Sequence, residues 1–208
     1  MLQPRSRDQL APATNCVAGA PSVRYDLCSM TRLPPREPPF DAATAEDLVK
    51  LMPPGVPPLR LFTTLAHNPR VLRRVLKGGL LDPGSIALRE REIVILRTCA
   101  LCGSEYEWSA HVRFFAGAAG FTPAQIAATV SGDPAPFAEP ERLLLALCEA
   151  LHATATVTDE LWPRLAAAFT PAQLVELLAL AGQYHMISYV TNALAIELEP
   201  GSARFPAM

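Results

Sequence analysis

No apolar run in this chain approaches the ~20 residues that a helix needs to cross a bilayer. The opening stretch MLQPRSRDQLAPATNCVAGAPSVRYDLC lacks the continuous hydrophobic segment of a secretory signal. Basic charge is not in excess: 18 Lys and Arg stand against 20 Asp and Glu, a net charge of −2, so no global field favours nucleic acid. Cysteines are few, odd in number and scattered (Cys16, Cys28, Cys99, Cys102, Cys148). This pattern excludes a disulfide framework and makes a reducing cytoplasm with free thiols the expected setting. There is no alternating strand pattern, no Gly-rich phosphate loop and no nucleophile elbow. Neither a membrane nor a nucleic acid is therefore an expected partner.

What is present is apolar material in helical order. Half of the chain is hydrophobic (50%) and only 18% is charged, enough for a core and a subunit interface. Residues 1–40 are rich in Pro, Arg, Ser and Ala, and LPPREPPF is expected to be extended, so the segment reads as a disordered or extended N-terminal arm. Met30 offers an alternative start, in which case residues 1–29 are not part of the native protein. Residues 41–208 read as an all-α domain. Helices are expected over 41–52, 57–69 and from Pro69 to Gly78-Gly79. Ser85 is expected to cap a longer helix running to Gly103, with Leu88, Ile95, Cys99 and Cys102 as its apolar stripe. Ser104 opens the next helix, where Ser104-Glu105-Tyr106-Glu107 fits a capping box. Two near-repeats, Phe121-Thr-Pro-Ala-Gln-Ile126 and Phe169-Thr-Pro-Ala-Gln-Leu174, each combine a Thr N-cap, Pro at the first helical position and Gln at N3. The last helix, PAQLVELLALAGQYHMISYVTNALAIEL, is apolar on more than one face, which suggests burial in an oligomer; Gly182 bends it or permits close packing.

The candidate chemistry lies in CALCGSEYEWSAH. Glu107 and His111 are four apart and share a helix face, so the carboxylate favours the imidazolium and tunes it for proton transfer. The alternative is a Glu that only completes the capping box and a His that is a half-buried structural residue. Glu92 stands at the edge of an apolar stripe, either as a surface charge or as a deliberately buried carboxylate. Cys99 and Cys102 have dithiol spacing. They fall in the last turn of their helix, however, where the helix dipole disfavours a thiolate, so small core residues are the better reading. One C-x-x-C with His111 as a third ligand does not make a zinc set, and no metal or cofactor is expected.

At these residues the chain resembles a known family. LREREIVILRTCALCGSEYEWSAHVRFFAGAAGFTPAQI, with the later ERLLLALCEAL and LVELLALAGQYHMISYVTNALAIELE, is similar to the carboxymuconolactone decarboxylase and alkylhydroperoxidase-like family over about residues 57–200. The resemblance is most specific across RERE…EYEW..H. It implies an all-α bundle assembled as a dimer, trimer or hexamer. The family's peroxidase members use a Glu, a C-x-x-C dithiol that opens a helix, and a His. Glu92 and His111 match the Glu and the His, while the two cysteine positions fall on Ser104 and Glu107, neither a thiol. Cys99 and Cys102 lie five residues upstream, a rotation of roughly 140° on a helix.

The resemblance thus implies a pocket of Glu92, Glu107 and His111, with Ser104, Tyr106 and Trp108 as its wall. It implies a cofactor-independent acid–base reaction on a small lactone or keto acid. Two alternatives stand beside it: an alkylhydroperoxidase or peroxiredoxin-type antioxidant activity through Cys99 and Cys102, and a non-catalytic oligomeric binding protein.

Overall fold

A computed structural model describes residues 31–207. Among them are nine α-helices and no strand, as the helical periodicity predicts. In chain order these are α1 (Ala42–Lys50), α2 (Arg60–Leu65), α3 (Pro69–Gly78), α4 (Leu88–Leu101), α5 (Glu105–Phe115), α6 (Pro123–Ser131), α7 (Glu139–Thr154), α8 (Leu161–Ala168) and α9 (Pro171–Ala193). No single helix among the described residues is long and apolar enough to cross a membrane.

Helix α4 is the axis of the molecule. It packs against α5, α6, α7 and α9, and every residue from Arg91 to Cys99 is buried. The expected single stripe is therefore incomplete. Leu88 is exposed and Cys102 half-buried, whereas the polar-looking Arg91, Glu92 and Arg97 lie inside. A helix wrapped on four sides has no solvent face to reveal, so its charges must be paired where they stand. Arg97 does this with Glu149 (2.8 Å) and the carbonyls of Thr129 and Val130.

Local signals predict the other boundaries unevenly. Both Thr-Pro-Ala-Gln starts form reciprocal capping boxes: Thr122 with Gln125 and Thr170 with Gln173. Ser85 does not cap α4. Its hydroxyl and backbone N–H donate to Glu176 of α9, and α4 starts after Ala87, whose N–H donates to Glu90 at 2.8 Å. Helix α9 ends at Ala193 rather than continuing to Leu198, and a Cβ added at Gly182 would meet nothing within 4 Å, so close packing is not what Gly182 provides.

Two apolar clusters result. One gathers α4, α7 and the first half of α9 with Trp108; the other gathers α1–α3 with Tyr106 and Ile187. Residues 31–40 have no regular secondary structure but are tied to the helices. The Arg32 N–H donates to the Leu194 carbonyl (2.9 Å), and the Arg36 guanidinium donates to that of Ala66 (2.9 Å). The rest of the expected arm, with Met30, Cys16 and Cys28, lies outside the described residues.

The capping boxes lead to a stability prediction. Thr170→Ala should cost about 1 kcal/mol, read as a lower urea midpoint at unchanged slope. Val175→Ala, on the exposed face of the same helix, should stay within about 0.5 kcal/mol.

Candidate functional site

The site is set by the turn between α4 and α5. Gly103 has φ +65°, with nothing within 4 Å of where a Cβ would stand, so the backbone conformation itself demands glycine. The Ser104 N–H donates to the Cys99 carbonyl (2.8 Å) and the Gly103 N–H to that of Ala100 (3.0 Å), the two-bond closure of a helix C-terminus. Ser104 is the N-cap of α5, but its hydroxyl is buried against the Thr191 hydroxyl (2.8 Å) and does not cap. The predicted capping box is absent, and Glu107 faces His111 instead.

A buried charge network follows. The Glu92 side chain has no exposure. One of its oxygens accepts from Arg91 Nε (2.9 Å) and Nη2 (2.8 Å), and the other from His111 Nδ1 (2.7 Å). On the opposite edge of the imidazole, Nε2 lies 3.0 Å from the Tyr184 hydroxyl and 3.5 Å from Glu107 Oε1. Phe115 and Tyr184 flank the ring, with centroids at 5.1 and 5.0 Å. Arg91 is held in turn by the Leu81 carbonyl (2.7 Å) and lies over the Phe115 ring.

The network sets protonation. Burial pulls His111 toward its neutral form, but its hydrogen bonds to Glu107 and Glu92 outweigh this and raise its pKa to about 9. The ring is therefore an imidazolium at neutral pH. Burial, then the charge of Glu107, pushes the Tyr184 hydroxyl well above the ordinary phenol range, so it stays protonated. Glu107 lines two neighbouring cavities. The smaller, of about 180 Å³, sets His111 among Leu61, Phe62, Phe114 and Phe115. The larger, of about 430 Å³, brings Glu107 and Tyr184 together with Lys50, Lys77 and Gln183.

The structure brings Glu92, Glu107 and His111 into one hydrogen-bonded network, but only Glu107 and His111 line a cavity; Glu92 lies behind His111 in the interior and is not part of the expected pocket wall. Nor does the structure place Ser104, Tyr106 and Trp108 in the wall of either cavity. The Tyr106 hydroxyl accepts from the Leu61 N–H (3.0 Å) and donates to Glu199 (2.8 Å), and Trp108 Nε1 donates to the Thr129 hydroxyl (3.0 Å) within the core. Residues on either side of Glu107 point about 100° away from it on the helix, and both flanks of α5 are packed. The wall comes from Phe62, Phe114 and Phe115. Tyr184 and Arg91 were not predicted. The available signals are the polar run Gln183-Tyr184-His185 inside a mostly apolar helix and an Arg beside a Glu in RERE.

Cys99 and Cys102 are free thiols. Cys99 is fully buried; burial, then the charge of Glu107, pushes its pKa well up. Burial also raises Cys102, whose sulfur faces His152 Nδ1 at 3.9 Å. A second group with ligand character, Cys102 with His152 and His185, stands outside both cavities.

Residues 69–147 match the carboxymuconolactone decarboxylase family, and this stretch holds Glu92, Glu107 and His111. The chain is similar to that family over this segment. Tyr184, His152 and His185 lie beyond the matched residues. No curated protein matches the chain in sequence. Solved structures similar to it include an uncharacterized peroxidase-related protein from Silicibacter sp. TM1040, at TM-score 0.71 and 16% identity over 82% of this chain and 92% of that one. A variant of the debrominase Bmp8 in complex with 2,3,4-tribromopyrrole gives TM-score 0.65 and 16% identity, over 82% and 93%. An alkylhydroperoxidase AhpD core, a peroxidase-related protein from Ralstonia eutropha JMP134, gives 0.63 and 13%, over 81% and 93%. At such identities the likeness establishes the helical fold and not an activity.

His111 should titrate near pH 9, against about 6.5 in an unfolded chain. A folded pKa above the unfolded one contributes stability in full below about pH 6.5 and loses it as pH rises through about 9. Imidazole NMR shifts and urea midpoints across that window check this. In Glu107→Gln the titration should move down and the pH dependence of the midpoint should shrink.

Proposed function

We propose that the chain is a cofactor-independent acid–base enzyme acting on a small lactone or keto acid. The observation that carries this reading is the buried His111 ring, fixed by Glu92 on one edge and facing Glu107 and the Tyr184 hydroxyl on the other, at the wall of an apolar cavity. An acceptor and two donors then converge on one small volume. Glu107 accepts a proton from the substrate. The Tyr184 hydroxyl and His111 Nε2–H donate to a carbonyl oxygen as negative charge develops on it, and His111 has a proton to return to carbon. A lactone or a β-keto acid supplies its own electron sink, its carbonyl, when a C–H or C–COO⁻ bond breaks.

The raised pKa values of Cys99 and Cys102 speak against a thiolate route, because the thiolate is the nucleophile. The same reading includes a homo-oligomer, for which the exposed Leu178 and Tyr189 of α9 supply an apolar face.

A panel of lactones and keto acids tests the assignment. Glu107→Gln and His111→Ala should each lower turnover by about 10²- to 10⁴-fold, whereas Cys99→Ala should leave it near the wild-type rate. Wild-type turnover in Glu107→Gln would end the acid–base reading, and hydroperoxide turnover lost in Cys99→Ala would transfer the function to the thiols.

A further inference from the structure

Away from the two cavities, three helices bring together a cysteine and two histidines. The Cys102 sulfur lies 3.9 Å from His152 Nδ1, which lies 3.1 Å from His185 Nε2, and the three atoms all fall within 4.8 Å of one another. The two imidazoles are nearly parallel, at an interplanar angle of 10°. We propose that Cys102, His152 and His185 bind one divalent transition-metal ion of the zinc class, with a water at the fourth position.

Geometry supports this first. With Zn–N near 2.0–2.1 Å and Zn–S near 2.3 Å, tetrahedral ligand atoms stand about 3.3 Å (N to N) and about 3.6 Å (N to S) apart. Two of the separations in the cluster are within a few tenths of an ångström of those values. The third closes by side-chain rotation, which the exposed His152 and half-buried Cys102 and His185 permit. Ligand type agrees, since a thiolate with two neutral imidazoles suits zinc and its neighbours rather than magnesium or calcium.

The backbone field is a second, independent support. Cys102 is the C-cap of α4, and His152 sits in the last turn of α7. Two helix C-termini, each carrying the partial negative end of a helix dipole, therefore converge on the cluster. That field disfavours a bare thiolate and favours a cation. Asn192 Nδ2 donates to the Cys102 carbonyl (2.8 Å) and fixes the backbone that carries the thiol. On binding, the Cys102 thiol gives its proton to solvent and its sulfur bonds the metal. The imidazole-to-imidazole hydrogen bond breaks, and each neutral ring turns a lone pair to the ion.

The test uses the full chain carrying Cys16→Ser and Cys28→Ser, so that no thiol outside residues 31–207 contributes. Zn²⁺ is followed by calorimetry in two buffers of different ionisation enthalpy, and Co²⁺ by absorption. The expected result is one equivalent of metal per chain, about one proton released, and a sulfur-to-cobalt charge-transfer band. Cys102→Ser should abolish that band, and His152→Ala and His185→Ala should each weaken Zn²⁺ binding by about tenfold or more. His152 is exposed, so its variant reports on ligation without disturbing the core; far-UV circular dichroism verifies the fold of all three. The proposal is overturned by the absence of one-to-one binding, or by binding that the three substitutions leave unchanged.

Discussion

The carboxylate of Glu92 is the constraint around which the molecule is arranged. It lies in the interior with no solvent contact, and each of its oxygens is matched by a cationic group: Arg91 on one, His111 on the other. Those partners reach outward. Arg91 holds the Leu81 carbonyl in the loop before α4 and lies over Phe115, while His111 touches Tyr184 of α9. One buried charge therefore sets the relative positions of that loop, α4, α5 and α9. Removing one partner of such a pair typically costs about 3–5 kcal/mol, a large part of the roughly 5–15 kcal/mol that holds a domain folded. The constraint is also directional. With Nδ1 committed to Glu92, Nε2 has to face Glu107, Tyr184 and the cavity.

The parts of this arrangement that local chemistry decides are legible in the sequence. Thr122 and Thr170 satisfy backbone donors within three residues of themselves, so their helix starts depend on nothing distant. Glu107 and His111 share a face by helix geometry alone. What escapes is set by packing between distant elements. Ser104-x-x-Glu107 has the letters of a capping box, but Thr191 on α9 takes the Ser104 hydroxyl, and Glu107 is released to the site. Glu92 sits in RERE, which reads as a surface run until α4 is seen to be enclosed on every side. Tyr184 stands 73 residues from His111, and nothing within α9 says which distant group its hydroxyl meets.

The fold itself is permissive. Peroxidase-related proteins and a debrominase share it at 13–16% identity, so the bundle supplies a seam between α4, α5 and α9 rather than a reaction. The chemistry follows from which groups project into that seam. Where the resemblance places two thiols, this chain has Ser104 and Glu107. Serine's hydroxyl is used up in a helix–helix contact, which leaves one position open to chemistry, and it carries a carboxylate. A carboxylate beside an imidazolium exchanges protons and does not transfer electrons, which is why the acid–base reading follows from the residues and not from the names of the neighbours.

The same physics separates the two cysteine-related questions at the end of α4. A helix C-terminus withholds stabilisation from an anion, so Cys102 lacks the environment that makes a thiol nucleophilic. That deficit disappears once a dication sits next to the sulfur, because the carbonyl ends of α4 and α7 then face positive charge. His152 and His185 offer ring nitrogens on the side where such an ion would sit, whereas His111, the only imidazole bonded to a carboxylate among the described residues, has both ring nitrogens committed to Glu92, Glu107 and Tyr184. The chain thus uses imidazole in two distinct electrostatic settings. Between Glu92 and Glu107 the ring is held in its protonated form, as the proposed acid role requires. Beside Cys102 two rings face each other and a sulfur, the arrangement on which the proposed metal site rests.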